Sequence, residues 1–375
     1  MVDRIQKIVA ELPDLKDVTG VRAVTGERLA RGDAAFCADL GIAVARRYGS
    51  DGGQVWQYRS VLDHVLRLLA TTPGPGHVAQ ALRLVTSPEV ADRGRDRSTA
   101  SMLASRHPVE ELAVAFTGHA SEELRACLVH ELVLRDIDVT QTRGIAQWAT
   151  SSHWSHHPLR RLPLKRSSIE ERVDLPNHSV NGESYSMPYG PWDEHGLPVV
   201  TGAPVPSATE TTTAADAQAI TRAVANWAEE SNGRMEARAF AFADPLEAES
   251  VPAALLTLGL DCMKGAGKKS ALLVSACPPA QVWRVLFAAA STGGAYNSGL
   301  RGAYGRLAAW QSLAALAGTP QDAPFAEAEA RAQQSAWYGF DIETKWFEDV
   351  AWDIGFAALA PDRRGLAVLA ATDTD

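Results

Sequence analysis

The chain has 375 residues, 46% of them hydrophobic and 22% charged, with a formal net charge of −9 and a pI near 5.6. That length and composition predict an ordered globular protein of one large or two smaller domains, and they exclude an intrinsically disordered chain. The acidic balance argues against a nucleic-acid partner, because a broad footprint needs a basic surface to displace counterions.

The first 148 residues read as all-helical. In DAAFCADLGIAVARRYG, Asp33 is a fitting N-cap, and Phe36, Leu40, Val44 and Tyr48 recur at helical spacing. YRSVLDHVLRLLA repeats the pattern with Val61, Leu62, Val65, Leu66 and Leu69, and Pro73-Gly74-Pro75-Gly76 breaks the chain. HPVEELAVAFTG predicts a further helix with Pro108 early in it, and SEELRACLVHELVLRD another with Ser121 as cap. Short helices joined by tight turns suggest a solenoid-like or bundle-like domain over residues 1–148, although no fixed repeat period is evident.

Residues 149–213 lose this periodicity and are rich in Pro, Gly, Ser, Asn and aromatic residues, among them Trp154, Tyr185, Tyr189 and Trp192. They are expected to form an irregular connecting segment that packs on something, with a flexible linker over Ala203–Thr213.

Residues 214–375 read as an α/β domain. AADAQAITRAVANWAEES predicts a helix, MEARAFAFADP a strand, SVPAALLTLGLDCM a helix capped by Ser250, and KSALLVSACPP a buried strand. Pro278 and Pro279 open the helix AQVWRVLFAAAS, a glycine-rich stretch leads into the helix GRLAAWQSLAALAG, and AEAEARAQQSAW predicts a further helix. A β-hairpin closes the chain. The expected fold class is therefore mixed α+β, an all-helical domain followed by an α/β domain.

Cys37, Cys127, Cys262 and Cys277 are scattered in apolar segments without a C-x-x-C pair. They read as small buried hydrophobes of a reducing cytoplasm rather than a disulfide framework or a zinc site. MVDRIQKIVAELPD lacks the apolar core of a signal peptide, and no stretch approaches the ~20 apolar residues of a membrane span, so no membrane partner is expected.

The sharpest chemical expectation concerns the terminal hairpin. Its turn, PDRRG, supplies Pro361, Asp362 and Gly365. Burial of one face would set Val350, Trp352, Ile354 and Phe356 beside Leu366, Val368 and Ala370. Ala360 then falls opposite Leu366, Asp353 opposite Asp373 and Ala351 opposite Asp375, with Asp349 one step beyond on the same face. Like charges directly opposite on a sheet are destabilising. A divalent cation such as magnesium or calcium, an arginine, or a raised carboxylate pKa would compensate; in the metal reading Asp353 and Asp373 are the main ligands and candidate catalytic residues, and Asp349 and Asp375 assist. The competing expectation is that the terminal TDTD frays into solvent, while Asp349 and Asp353 cap helices or pair with lysines such as Lys345.

Three other stretches invite a site. STGGAYNSGLRGAYGRLAAW could cradle an anion on its backbone amides, with Arg301, Gly302, Tyr304 and Arg306 as its contacts, or could form a close helix–helix corner. KGAGKKS resembles a phosphate loop, but its apolar strand follows it, the reverse of the Walker order. HWSHHP places His153, His156 and His157 at i, i+3 and i+4, a spacing that can hold zinc or nickel on a helix, although Pro158 follows at once. There is no G-x-S-x-G, no H-E-x-x-H and no kinase signature.

The segments GGAYNSGLRGAYGRLAAWQSLAALAG and WFEDVAWDIGFAALAPD…LAVLAATDTD resemble the C-terminal half of an uncharacterised family of actinobacterial proteins, a domain of unknown function. The resemblance covers roughly residues 215–375 and implies a cytoplasmic bacterial protein without specifying its chemistry. Two functions fit these observations. One is a non-catalytic protein-interaction, regulatory or immunity-type module with a protein partner; the other is a divalent-metal-dependent enzyme acting on a phosphorylated or anionic small molecule. Oligomeric state is not legible.

Overall fold

A computed structural model describes residues 2–49, 55–74, 76–186, 188, 197, 204–265, 272–347 and 352–374. The chain divides into two compact units, one of residues 1–160 with 176–185 and one of residues 161–175 with 186–375. The described architecture is mixed α+β, as the sequence predicts.

The first unit is built on helices α1 (Val2–Glu11), α2 (Thr19–Ala30), α3 (Ala34–Tyr48), α4 (Trp56–Thr71), α5 (His77–Val85) and α6 (Arg93–Arg106). Helices α7 (Val109–Leu112), α8 (Val114–Thr117), α9 (Glu122–Leu134), α10 (Arg143–Trp148) and α11 (Ser152–His156) follow. The periodic residues do what their spacing predicts: Phe36, Leu40, Val44, Val61, Leu62, Val65 and Leu69 are all buried. Asp33 caps α3 by accepting from the Phe36 amide at 3.3 Å, and Ser121 caps α9 by accepting from the Leu124 amide at 3.0 Å. HPVEELAVAFTG is broken at Ala113 into α7 and α8 rather than forming one helix.

Asp96, on α6, is buried and accepts a hydrogen bond from the Ser121 hydroxyl at 2.7 Å. Burial raises its pKa, the serine bond opposes that shift, and the nearby Glu123 and Asp92 charges add to it. The native state therefore binds this proton more readily than the unfolded chain, so the ionised group subtracts from stability at neutral pH. The penalty fades as pH falls through the raised native pKa. Asp96→Asn should accordingly raise the urea midpoint near neutrality, with the gain vanishing in acid below the ordinary Asp value. Midpoints measured at the two pH values check this.

The residues between the helical domain and residue 214 are not without elements. They contain α11, a two-stranded hairpin β1 (Asn177–Ser179) and β2 (Gly182–Ser184), and β3 (Ala208–Glu210). The linker expected over Ala203–Thr213 is thus corrected: β3 pairs antiparallel with β4 (Arg234–Phe242), Ala208 opposite Phe242 and Glu210 opposite Phe240. Trp154 is buried and Tyr185 exposed, whereas Tyr189 and Trp192 lie outside the described residues.

The second unit holds a six-stranded antiparallel sheet in the order β3-β4-β8-β7-β6-β5, with β5 (Leu272–Cys277), β6 (Ala336–Ile342), β7 (Trp352–Leu359) and β8 (Gly365–Asp373). Its helices are α12 (Ala214–Ile220), α13 (Ala225–Glu230), α14 (Val251–Thr257), α15 (Pro279–Thr292), α16 (Arg301–Leu316) and α17 (Phe325–Gln334). Strand β6 falls where the sequence extends a helix to Trp337. The helix stops at Ser335, whose backbone is extended, and the aromatic run Trp337, Tyr338 and Phe340 then pairs between β5 and β7. One sheet face, with Val368, Leu366 and Ala357, forms a core with Val251 and Leu255 of α14 and with Leu246 and Leu260. The other face buries Ile354, Phe356 and Leu369, and helices α12, α13, α15 and α16 contact β4, β8 and β6.

This double coverage decides the hairpin. Trp352 pairs with Asp373, Asp353 with Thr372 and Leu359 with Leu366, so paired numbers sum to an odd value. The expected pairings, Asp353 with Asp373 and Ala360 with Leu366, are corrected by one residue. The cause is the loop. The Ala360 amide donates to the Gly365 carbonyl at 2.8 Å, leaving four residues, 361–364, outside the ladder, and Arg363 takes the left-handed conformation at φ 58°. Because both faces of β7 and β8 are buried, hydrophobic alternation carries no information about which face points inward. Asp353 and Asp373 therefore project to opposite faces of the sheet.

Candidate functional site

With the register corrected, the expected carboxylate cluster is not assembled from Asp353 and Asp373. Asp349 and Asp375 lie outside the described residues. Among the described residues, no group of three or more His, Cys, Asp or Glu side chains is placed to hold a metal ion. Asp373 is itself almost fully buried, which opposes the expectation that the terminus frays. Its Oδ2 accepts from the Ala295 amide at 2.7 Å, and its Oδ1 accepts from the Ser231 hydroxyl at 2.8 Å and from the Thr374 amide at 3.0 Å.

The glycine-rich stretch is thereby explained as an internal corner between α15 and α16. Gly293 has φ +89°, a conformation that suits glycine. A Cβ on Gly294 would lie 1.9 Å from Asp373 Oδ2, so the absent side chain is what admits the carboxylate. Asn297 completes the corner. Its Oδ1 accepts from the Gly294 amide at 3.1 Å and from Asn226 Nδ2 at 2.9 Å, and its Nδ2 donates to the Asn226 carbonyl at 3.1 Å. The loop amides thus serve the chain's own carboxylate and amide oxygens.

Arg301, Gly302, Tyr304 and Arg306 follow on α16. Arg301 opens the helix at φ 65° and is half-buried, as is Tyr304, whereas Gly302 is buried. Arg306 is fully buried with Glu170. Its Nε donates to Glu170 Oε1 at 2.6 Å and its Nη2 to Oε2 at 2.8 Å, a bidentate pair. It also donates to the Pro163 and Lys165 carbonyls at 3.0 and 2.9 Å, while Trp310 Nε1 donates to Glu170 Oε1 at 2.7 Å. Arg306 is thus committed to holding residues 161–175 on the second unit and does not face a ligand.

The three histidines do not share one helix face. His153 and His156 lie on the five-residue α11, and His157 falls after it in an extended conformation. His156 Nδ1 lies 2.8 Å from the Ser152 carbonyl, and His157 Nε2 lies 3.3 Å from Glu123 Oε2 with its ring stacked on Trp154. Of KGAGKKS, only Lys264 and Gly265 are described.

Two groupings escaped sequence reasoning. In the first unit Ser101 Oγ lies 3.0 Å from His178 Nε2, and His178 Nδ1 lies 3.4 Å from Glu183 Oε2, the order of a Ser-His-Glu triad. Ser101 and His178 are fully buried inside the helical unit, so no substrate reaches the hydroxyl. Arg106 also donates to the His178 carbonyl at 2.9 Å, and the set fastens the β1–β2 hairpin. Since Ser101 and His178 are 77 residues apart, no local motif could have signalled the pair.

The second grouping is a groove of about 800 Å³ along the edge of β4. One wall is Ala217, Gln218, Thr221, Arg222, Ala225 and Glu229 of α12–α13 and the turn between them. The floor is Met235 to Arg238, and the other wall is Gly259, Asp261, Lys264 and Trp346, with Glu210 at one end. A second cavity of about 470 Å³, lined by Val205, Pro206, Phe240 and Leu258, adjoins it across Glu210 and Arg238. The groove exists because β3 covers only part of the edge. The Thr211 amide donates to the Ala239 carbonyl at 2.8 Å, and Thr213 then caps α12, carrying the chain off the sheet.

The charges in the groove are held in place. Arg238 makes a bidentate pair with Glu210, with Nε donating to Oε1 at 3.1 Å, and its Nη1 donates to the Gly259 carbonyl at 2.7 Å. This pairing raises the Arg238 pKa and lowers that of Glu210. Glu236 accepts from the Asp261 and Cys262 amides, each at 2.8 Å, and Asp261 pairs with Lys264. These side chains offer fixed hydrogen-bonding groups beside an exposed strand edge, an arrangement suited to binding.

The chain belongs to a protein family of unknown function (DUF6183), whose model matches residues 19–375. The match takes in most of the helical unit, well beyond the C-terminal segments on which a family resemblance is first visible. No curated protein and no solved structure matches the chain. No helix among the described residues is long and apolar enough to cross a membrane.

Proposed function

We propose that this protein is a non-catalytic protein-interaction module that docks its partner in the groove along β4. The observation that carries the reading is the strand edge at Met235–Ala237, which no strand among the described residues covers, walled on both sides and bordered by charges already fixed in ion pairs. Preorganised polar groups around a partly apolar floor lose little entropy when a partner arrives. The reading places the protein in the cytoplasm of a bacterium, with its thiols kept reduced; Cys37, Cys127 and Cys262 are buried and unpaired.

Site-specific photocrosslinking in the producing cell tests it. A photoreactive residue at Gln218 or Met235 should give discrete adducts with one partner protein, and the same residue at the exposed Lys7 should not. Equal labelling from Lys7, or no protein adduct from either groove position, overturns the reading.

A further inference from the structure

We infer that the partner enters this groove as an extended strand in which apolar and basic side chains alternate, adding to the free edge of β4. The inference rests on the interaction reading above and specifies its chemistry.

The backbone direction comes first. In β4 the Ala239 carbonyl accepts from the Thr211 amide, and the Ala243 amide donates to the Ser207 carbonyl, so odd-numbered backbone groups point away from β8. Ladder groups alternate along an antiparallel strand. Met235 and Ala237 therefore present their N–H and C=O to the groove, beyond the point where the chain leaves β3. The same edge already accepts β3 from Phe240 onward, three residues beyond Ala237, which shows its geometry is open to pairing. Strand addition uses such main-chain groups for affinity and the two flanking faces for specificity.

The faces differ. Met235 pairs with Ala371 and Ala237 with Leu369, so their side chains lie on the sheet face that also carries Asp373. The groove wall there offers Ala217, Thr221 and Ala225, with Met235 38% exposed, and accepts an apolar side chain. Glu236 and Arg238 lie on the opposite face, beside Asp261, Lys264 and Glu210. Arg238 pairs with both Glu210 and Glu236, and Lys264 pairs with Asp261, so among the described lining residues of that face three carboxylates meet two cations and the balance is one negative charge. On the α12–α13 wall, Arg222 and Glu229 balance. Charge complementarity therefore selects a basic side chain at alternate positions.

The test uses the full chain and a fluorescent peptide of alternating lysine and valine, with an aspartate–valine peptide and an N-methylated lysine–valine peptide as controls. The lysine–valine peptide should bind, the N-methylated one should lose at least about tenfold, and the aspartate–valine one should bind more weakly still. In the complex, hydrogen exchange at the Met235 and Ala237 amides should slow, a readout that mere charge attraction would not move. Asp261→Lys, at an exposed position, should weaken the lysine–valine peptide by about fivefold, the worth of an exposed ion pair. Equal binding of the N-methylated peptide, or unprotected Met235 and Ala237 amides, overturns strand addition. A partner crosslinked from Gln218 while the lysine–valine peptide fails to bind overturns this inference but leaves the interaction reading standing. Absence of both results removes that reading as well.

Discussion

Arg306→Met should lower the unfolding free energy by about 3–5 kcal/mol, the cost of stranding one partner of a buried ion pair. Glu170 is fully buried, and without Arg306 its carboxylate keeps, among the described residues, the Trp310 indole at 2.7 Å and the Ser167 amide at 2.8 Å. The Pro163 and Lys165 carbonyls lose their donor in the same step. Pairing the change with Glu170→Leu removes the stranded charge, and double replacements of buried pairs by apolar residues are often close to neutral. Recovery here should be partial, because Trp310 Nε1 and the two carbonyls stay unsatisfied. Urea titrations of the two single variants and the double variant measure the coupling directly. If Arg306→Met cost under about 1 kcal/mol, the pair would be solvated and the buried reading of it would fall.

That pair also shows what the sequence withholds. Glu170 lies in an irregular stretch and Arg306 in a glycine-rich one, 136 residues apart. Nothing local marks either as the other's partner, so from sequence alone Arg306 fits an anion-binding loop as well as a helix–helix corner. Features encoded by neighbours were legible. The Asp33 and Ser121 caps, the apolar faces of α3 and α4 and the helix opening at Pro279 all follow from residues within a turn or two. Strand β6 was not, because AEAEARAQQSAW is rich in good helix formers up to the point where pairing with β5 and β7 takes over.

The candidate site was hidden for a related reason. MEARAFAFADP is a recognisable strand, but its position beside a short β3 that covers only residues 240–242 depends on the tertiary fold. The groove is a property of what β3 leaves uncovered. The hairpin register failed on a single residue of loop length, since Gly365 belongs to β8 and not to the turn. Gly355 records how closely that sheet is packed: a Cβ there would lie 2.3 Å from the Phe340 carbonyl oxygen and 2.7 Å from its ring.

Asp373→Ala should destabilise the protein by about 2–4 kcal/mol, with no dependence on magnesium or calcium. The carboxylate is nearly inaccessible, and its oxygens are taken by the Ala295 and Thr374 amides and the Ser231 hydroxyl. Removing it leaves the Ala295 amide and Ser231 without that acceptor and opens a void where Gly294 lies against the carboxylate. Gly294→Ala approaches the same contact from the other side: its Cβ would meet Asp373 Oδ2 at 1.9 Å, so the carboxylate must leave its hydrogen-bonded position or the loop must move. In the double variant, Gly294→Ala with Asp373→Ala, the methyl group occupies space the carboxylate has vacated, and the loss should be less than the sum of the two single changes. Thermal melts with chelator and with added magnesium or calcium separate this structural role from a metal site. A wild-type melting temperature raised by the cation, and not raised in Asp373→Ala, would return Asp373 to metal chemistry. Unchanged melts in both, with a subadditive double variant, make the carboxylate the clasp that holds the glycine corner against the last strand of the sheet.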